Sequence, residues 1–242
     1  MGKLTWIMII LNVIIFELVF SMPENLMKTT FEMFAFSSPR LPEIWRMFSS
    51  LFLHASASHL FFNMLGLYFF GNIVEEETGM KEFLLIFFLS GIGGNLVYGF
   101  TSQNPVVGAS GCVFGLMGFA MFMKPNEIIR MYFFPLPLGV VAVIYAIVET
   151  LLAYFGEFAS GVAHSAHVTG LVIGGLFAFR SDPRRAGKGM LWLLIFVALL
   201  ILLGPVLGLV LWVGNLILGA FEAAVGFVMY GLAKILTPVL WG

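Results

Sequence analysis

The chain is 242 residues long, 60% hydrophobic and only 10% charged, with a net charge of −1 and a mean hydropathy of +1.02. So few charges cannot give a soluble domain of this size a solvated surface, and the apolar runs are too long for barrel strands. Nothing resembles a nucleic-acid-binding basic patch, and the single cysteine, Cys112, excludes an internal disulfide and a cysteine-built metal site.

A helix needs about 20 mainly apolar residues to cross a bilayer. That ruler predicts spans near 4–21, 51–73, 82–100, 108–123, 132–155 and 162–179, with further apolar stretches at 190–213 and 215–240. The fold class is therefore all-α, a polytopic membrane bundle with one or two extra C-terminal hydrophobic helices. The domain reading is a six-span core over 1–180, then a basic linker and hydrophobic extension over 181–242. Leu4–Phe20 lacks a small-residue cleavage site and reads as a retained first span.

The loop Ser21–Ser50 is the longest connection; with Phe31, Phe34, Phe36 and Trp45 it can fold against the membrane surface, where Trp45 suits the interface, while most of its residues read as a structural elbow. The fourth span is short, with Gly111, Gly115 and Gly118 on one face. The sixth carries Gly170 and Gly174 on the stripe of His167. Small faces let membrane helices approach closely, so these two spans are expected to pair in the centre. In the tail, Gly204-Pro205 is a tolerated kink. Glu222, Gly226, Tyr230 and Lys234 share a face that fits either an interfacial helix or an eighth span.

Basic residues set the orientation. With the N-terminus inside, Lys3, Lys81, Lys124, Arg130, Arg180, Arg184, Arg185 and Lys188 fall on the inner side, and only Lys28, Arg40 and Arg46 fall outside. This bias predicts a cell-membrane protein with a cytoplasmic N-terminus.

Topology then assigns depth to the polar residues. Ser110 follows an outer loop and opens the fourth span, His167 lies a turn or two inside the sixth, and His59 and Asn63 share a face in the outer half of the second. Polar groups in a membrane face the bundle interior or a water-filled cavity. Each has a plain explanation alone: a helix-contact hydroxyl, an interhelical hydrogen bond, a bridging amide. Together they make chemical sense, because a serine hydroxyl needs a neighbouring base and a tetrahedral intermediate needs hydrogen-bond donors. Ser110 is the candidate nucleophile and His167 the base. His59, Asn63 and the Ser110 backbone are candidate oxyanion donors. A triad acid is missing, since Asp182 falls on the inner side and neither Glu149 nor Glu157 has a spacing that points to His167.

At these residues the chain resembles the rhomboid family of intramembrane serine proteases. The G-x-S-G motif is present as Gly108-Ala109-Ser110-Gly111, and the His-then-Asn pattern as His59 and Asn63, with the upstream His54. The sixth-span pattern runs Ala166, His167, Gly170, Gly174. Trp45-Arg46 matches the first-loop pair, and Gly71, Glu75 and Gly79 match G-x-x-x-E-x-x-x-G. The resemblance covers roughly residues 1–180.

It implies a Ser110–His167 dyad cutting transmembrane protein substrates near the outer end of a membrane segment, within the lipid bilayer and without a cofactor or metal. The fifth span would be a lateral gate and Gly156–Gly161 a cap. Many members have Tyr four residues after the serine; here Phe114 keeps the ring but lacks the hydroxyl. Two alternatives stand beside this reading: a catalytically inactive, client-binding rhomboid-like protein, and a metal or haem protein built on His54, His59, His164 and His167. A transporter would need an internal repeat and opposed broken helices, which the spans do not show.

Overall fold

The computed structural model describes residues 2–40, 42–131, 134–155, 164–195 and 198. It divides into a unit of residues 1–193 and a second of 194–242. The predicted stretches at 190–213 and 215–240, and the loop Gly156–Gly161, lie wholly or largely outside the described residues.

The first unit is an all-α polytopic membrane bundle. Helix α1 (Lys3–Phe20) leads into an outer segment with α2 (Glu24–Phe34) and α3 (Arg46–Ser49). The second span is α4 (Ala57–Gly66), a π-turn at Leu67–Gly71 and α5 (Asn72–Thr78). Gly79, at φ +79°, turns the chain into α6 (Met80–Thr101). Then come α7 (Ser110–Met123), α8 (Leu138–Phe155), α9 (His164–Ser181) and, last among the described residues, a helix over 183–195. Lys3–Phe20, Ala57–Thr78 and Met80–Thr101 are long and apolar enough to cross a membrane.

Two span starts lie six residues later than in the sequence reading, and the second span also runs on to Thr78 rather than ending at 73. The second span begins at Ala57 rather than residue 51, because Ser50–Phe52 forms a 3-10 turn and the Ser56 side chain caps α4 by accepting from the His59 N–H. The fifth helix begins at Leu138 rather than 132, because Ile128–Met131 (β1) and Phe134–Pro137 (β2) pair as an antiparallel hairpin. Hydropathy alone merges that apolar hairpin with the helix that follows.

Helix α7 is the centre of the bundle. At 14 residues it is only about 21 Å long, shorter than the hydrocarbon core. All its residues but Ser110 and Phe122 are buried, as befits a helix that is apolar on every side. Glycines set its contacts. A Cβ on Gly174 would run into the Gly115 carbonyl, one on Gly170 into the Gly111 carbonyl, and one on Gly118 into the Leu171 carbonyl. On the other flank, a Cβ on Gly115 would strike Ser90 of α6, and one on Gly91 would strike the Cys112 Sγ. Cys112 is itself fully buried.

One end of the bundle is tied by carboxylates. The Glu75 oxygens accept from the Leu4 N–H (2.9 Å), the Thr5 N–H (2.8 Å) and the Thr5 hydroxyl (2.9 Å), closing donors that the start of α1 leaves open. Glu77 binds Arg185 (2.5 Å) and Lys124 (3.4 Å), and Glu82 binds Arg180. Burial acts to lower the Lys124 pKa, but the carboxylates of Glu127 and Glu77 outweigh it and hold it above the ordinary lysine value. The opposite end carries the residues singled out for chemistry.

Candidate active site

The site is built where α7 begins. Loop 102–109 is fastened to the outer segment before it: Phe36 and Val106 exchange backbone hydrogen bonds (3.1 and 2.8 Å), and the Gly108 N–H donates to the Ser50 carbonyl (2.9 Å). Arg46, 2% exposed, holds that outer segment in shape. Its guanidinium donates to the Glu32 carbonyl (2.5 Å), the Ala35 carbonyl (3.1 Å) and the Glu43 carboxylate (2.7 Å). Its motif neighbour Trp45 is half exposed.

Gly108 sits at φ +117°, a conformation that disfavours a side chain. A Cβ there would also lie 2.6 Å from the His59 Nε2, so the glycine makes room for that imidazole. The chain then turns into α7, and Ser110 is its first residue. The N–H groups of Ser110, Gly111 and Cys112 belong to a first turn that has no preceding helical carbonyls to receive them.

Across the α7–α9 contact the Ser110 Oγ and the His167 Nε2 are 2.8 Å apart. The Phe114 ring lies flat on the His167 ring, with centroids 4.3 Å apart and planes 7° from parallel. Phe114 is backed in turn by Tyr145 of α8 at 5.9 Å. His167 is 7% exposed, and beside it a largely apolar cleft of about 460 Å³ opens between α7, α8 and α9.

On the second span, Asn63 is fully buried and donates through its Nδ2 to the His59 carbonyl at 2.9 Å. Its Oδ1 has no hydrogen-bond partner among the described residues. His54 packs edge-on against His59, with centroids 5.1 Å apart, and among the described residues neither of its buried ring nitrogens has a hydrogen-bond partner. Ser110, His167 and His59 thus gather around the Gly108–Ser110 corner, with Asn63 one turn behind His59.

Asp182 is used elsewhere, accepting from the backbone N–H groups of Arg184 and Arg185 (both 3.0 Å). The Glu149 side chain and all of Glu157 lie outside the described residues. Among the described residues no three His, Cys, Asp or Glu side chains form a metal-binding group.

Two contributors were not singled out from the sequence. Ser50 fixes the Gly108 turn through its carbonyl, and its hydroxyl accepts from the Asn95 amide at 2.9 Å. Asn95, a buried amide inside α6, carries a readable signal, because polar groups in membrane helices are costly. Ser50 carries none.

The family model for the rhomboid domain matches residues 41–184, which hold every residue of this site. The chain belongs to the rhomboid family. It is 33% identical over 136 residues to the rhomboid protease GluP of Bacillus subtilis (strain 168), covering 56% of this chain and 25% of that protein. It is 29% identical over 153 residues to the rhomboid protease GlpG of Yersinia pseudotuberculosis serotype I, covering 63% and 53%. With GlpG of Pectobacterium atrosepticum it shares 29% over 147 residues, covering 59% and 52%. The chain spans between a quarter and about half the length of these rhomboid relatives.

Proposed function

We propose that this protein is an intramembrane serine endopeptidase working through a Ser110–His167 dyad. The observation that carries the reading is the 2.8 Å approach of the Ser110 Oγ to the His167 Nε2 at the head of the central helix. The Ser110 oxygen attacks the scissile carbonyl while His167 takes its proton. His59, Asn63 and the Ser110 N–H stabilise the oxyanion. The tetrahedral intermediate then collapses, the amine leaves with the proton from His167, and an acyl-enzyme remains. Water, deprotonated by His167, attacks that ester and releases the acid, and the proton returns to Ser110. Phe114 takes the orienting part that a carboxylate has in a triad, holding the imidazole by stacking on its face.

The substrates are membrane proteins, cut near the outer end of a transmembrane segment. Ser110 meets His167 close to the start of α9, where Ser165 lies 3.2 Å from Thr101 at the end of α6, which supports a position near one end of the bundle. The protein lies in the cell membrane with its N-terminus in the cytoplasm, in keeping with Lys124, Arg180 and Arg185, which Glu77 and Glu82 hold at the end of the bundle where α1 begins.

A fluorophosphonate serine probe and a single-span model substrate test the proposal. Wild-type protein in detergent is expected to label and to cleave. Ser110→Ala and His167→Ala are each expected to lose both, with cleavage down by at least roughly a thousandfold. Labelling that persists in Ser110→Ala overturns the assignment. A wild-type protein that neither labels nor cleaves favours the client-binding reading.

A further inference from the structure

The last described helix has two unlike faces. One docks on the bundle: Ala186 is fully buried, a Cβ on Gly189 would strike the Phe122 carbonyl, and Leu193 packs against the core. Arg185 closes this face by donating to the Met123 carbonyl (2.8 Å) and the Glu77 carboxylate (2.5 Å). The other face, at positions i, i+3, i+4, i+7 and i+8, carries Arg184, Gly187, Lys188, Leu191 and Trp192. Arg184 and Lys188 are exposed, as are Leu191 (58%) and Trp192 (42%), and nothing lies within 4 Å of a Cβ placed on Gly187.

Among the described residues the two cations of this face have no ion-pair partner, and the Asp182 carboxylate beside them caps the helix through the Arg184 and Arg185 N–H groups. Arg180, Arg185 and Lys124, by contrast, all have carboxylate partners. Residues 183–193 contain no acid. The face also changes character along its length, from two cations to an aliphatic and an aromatic side chain. From Arg184 to Leu191 the helix rises about 10 Å, close to the depth over which a leaflet passes from phosphate to acyl chain. Tryptophan favours that boundary. The side of the membrane follows from the carboxylate ties. Glu75 holds the start of α1, and Glu77, two residues on, holds Arg185, so this helix starts on the side of the chain's N-terminus.

We propose that this face is a binding site for an anionic glycerophospholipid. Arg184 and Lys188 take the phosphate headgroup across the gap left by Gly187, and Leu191 and Trp192 line the upper acyl chain. A soluble anion accounts for the two cations but not for the apolar continuation of the same stripe. The site lies almost wholly beyond the matched domain, which ends at residue 184, and does not depend on chemistry at Ser110.

The test is titration of the full-length protein in neutral detergent with dioleoyl phosphatidylglycerol, read by native mass spectrometry, with phosphatidylcholine as the neutral comparison. Phosphatidylglycerol is expected to bind the wild type in preference. The double variant Arg184→Gln/Lys188→Gln is expected to bind it roughly thirtyfold more weakly, while Lys28→Gln, which removes an exposed cation on α2, leaves it unchanged. Gly187→Glu, which adds an opposing charge where there is open space, is expected to reproduce the loss and covers the case of a double variant that does not fold. Thermal midpoints establish that each variant compared is folded. Equal affinity in the wild type and the folded variants overturns the proposal. So does displacement of the lipid by millimolar inorganic phosphate, which marks a soluble-anion site.

Discussion

The ring beneath His167 stacks on it without a hydroxyl. Phe114 holds the imidazole plane by face contact over 4.3 Å, so removing the ring frees a side chain whose orientation the proposed proton transfer requires. Phe114→Ala is expected to slow fluorophosphonate labelling of Ser110 by roughly a hundredfold, the scale of a misplaced catalytic group. Phe114→Tyr is expected to stay near wild type. Equal rates for Phe114→Ala and wild type would show that stacking contributes nothing. Counting spans assigns Ser110 and His167 a common depth, and their side chains approach to 2.8 Å. Sequence could not reach Ser50, whose part is played by a backbone carbonyl, nor the room at Gly108 that the His59 ring occupies.

Among the helices, the α7–α9 pairing was readable from glycine spacing, but the division of labour between the glycines was not. Gly111 opens the small face of α7, yet a Cβ there meets its nearest atoms only at 3.5 to 3.8 Å, ordinary contact. What matters at that level is the Gly111 carbonyl, against which Gly170 must be bare. Gly111→Ala is therefore expected to leave the thermal midpoint in detergent unchanged or slightly raised, since alanine is the better helix former. Gly174→Ala, which drives a methyl into the Gly115 carbonyl, is expected to destabilise by about 1–3 kcal/mol. Comparable midpoints for the two variants would contradict this packing. The β1–β2 hairpin escaped notice for a different reason. Its residues are as apolar as the helix they precede, and hydropathy measures burial without reporting backbone conformation.

The whole bundle is held at two levels, by carbonyl-to-glycine contact in the middle and by carboxylates at the N-terminal end. Glu75 is the main tie of α1, and Gly71, one turn away, lets Thr5 come to about the limit of contact, 3.0 Å from where a Cβ would stand. Glu75→Ala is expected to lower stability by about 1.5–3 kcal/mol, the scale of hydrogen bonds to a charged group. The loss would appear in the thermal midpoint, with labelling of Ser110 at low temperature retained. A variant as stable as wild type would show that α1 is held by its apolar face alone. Between these two levels runs the second span, with His59 and Asn63 toward one end, Glu75 at the other, and the π-turn Leu67–Gly71 between them. A π-turn takes up one residue more than an α-turn, so it offsets the angular phase of everything beyond it by about 100°. A straight helix of the same sequence would carry Glu75 around the axis and away from Thr5 while His59 still faced Gly108. The stretch from Leu67 to Gly71 is thus a spacer whose residue count sets the phase between the two ends, while bare Gly71 and buried Leu67 and Phe70 fit it into the bundle. Substitutions among its apolar residues leave the two ends in step, but an insertion or deletion of one residue does not.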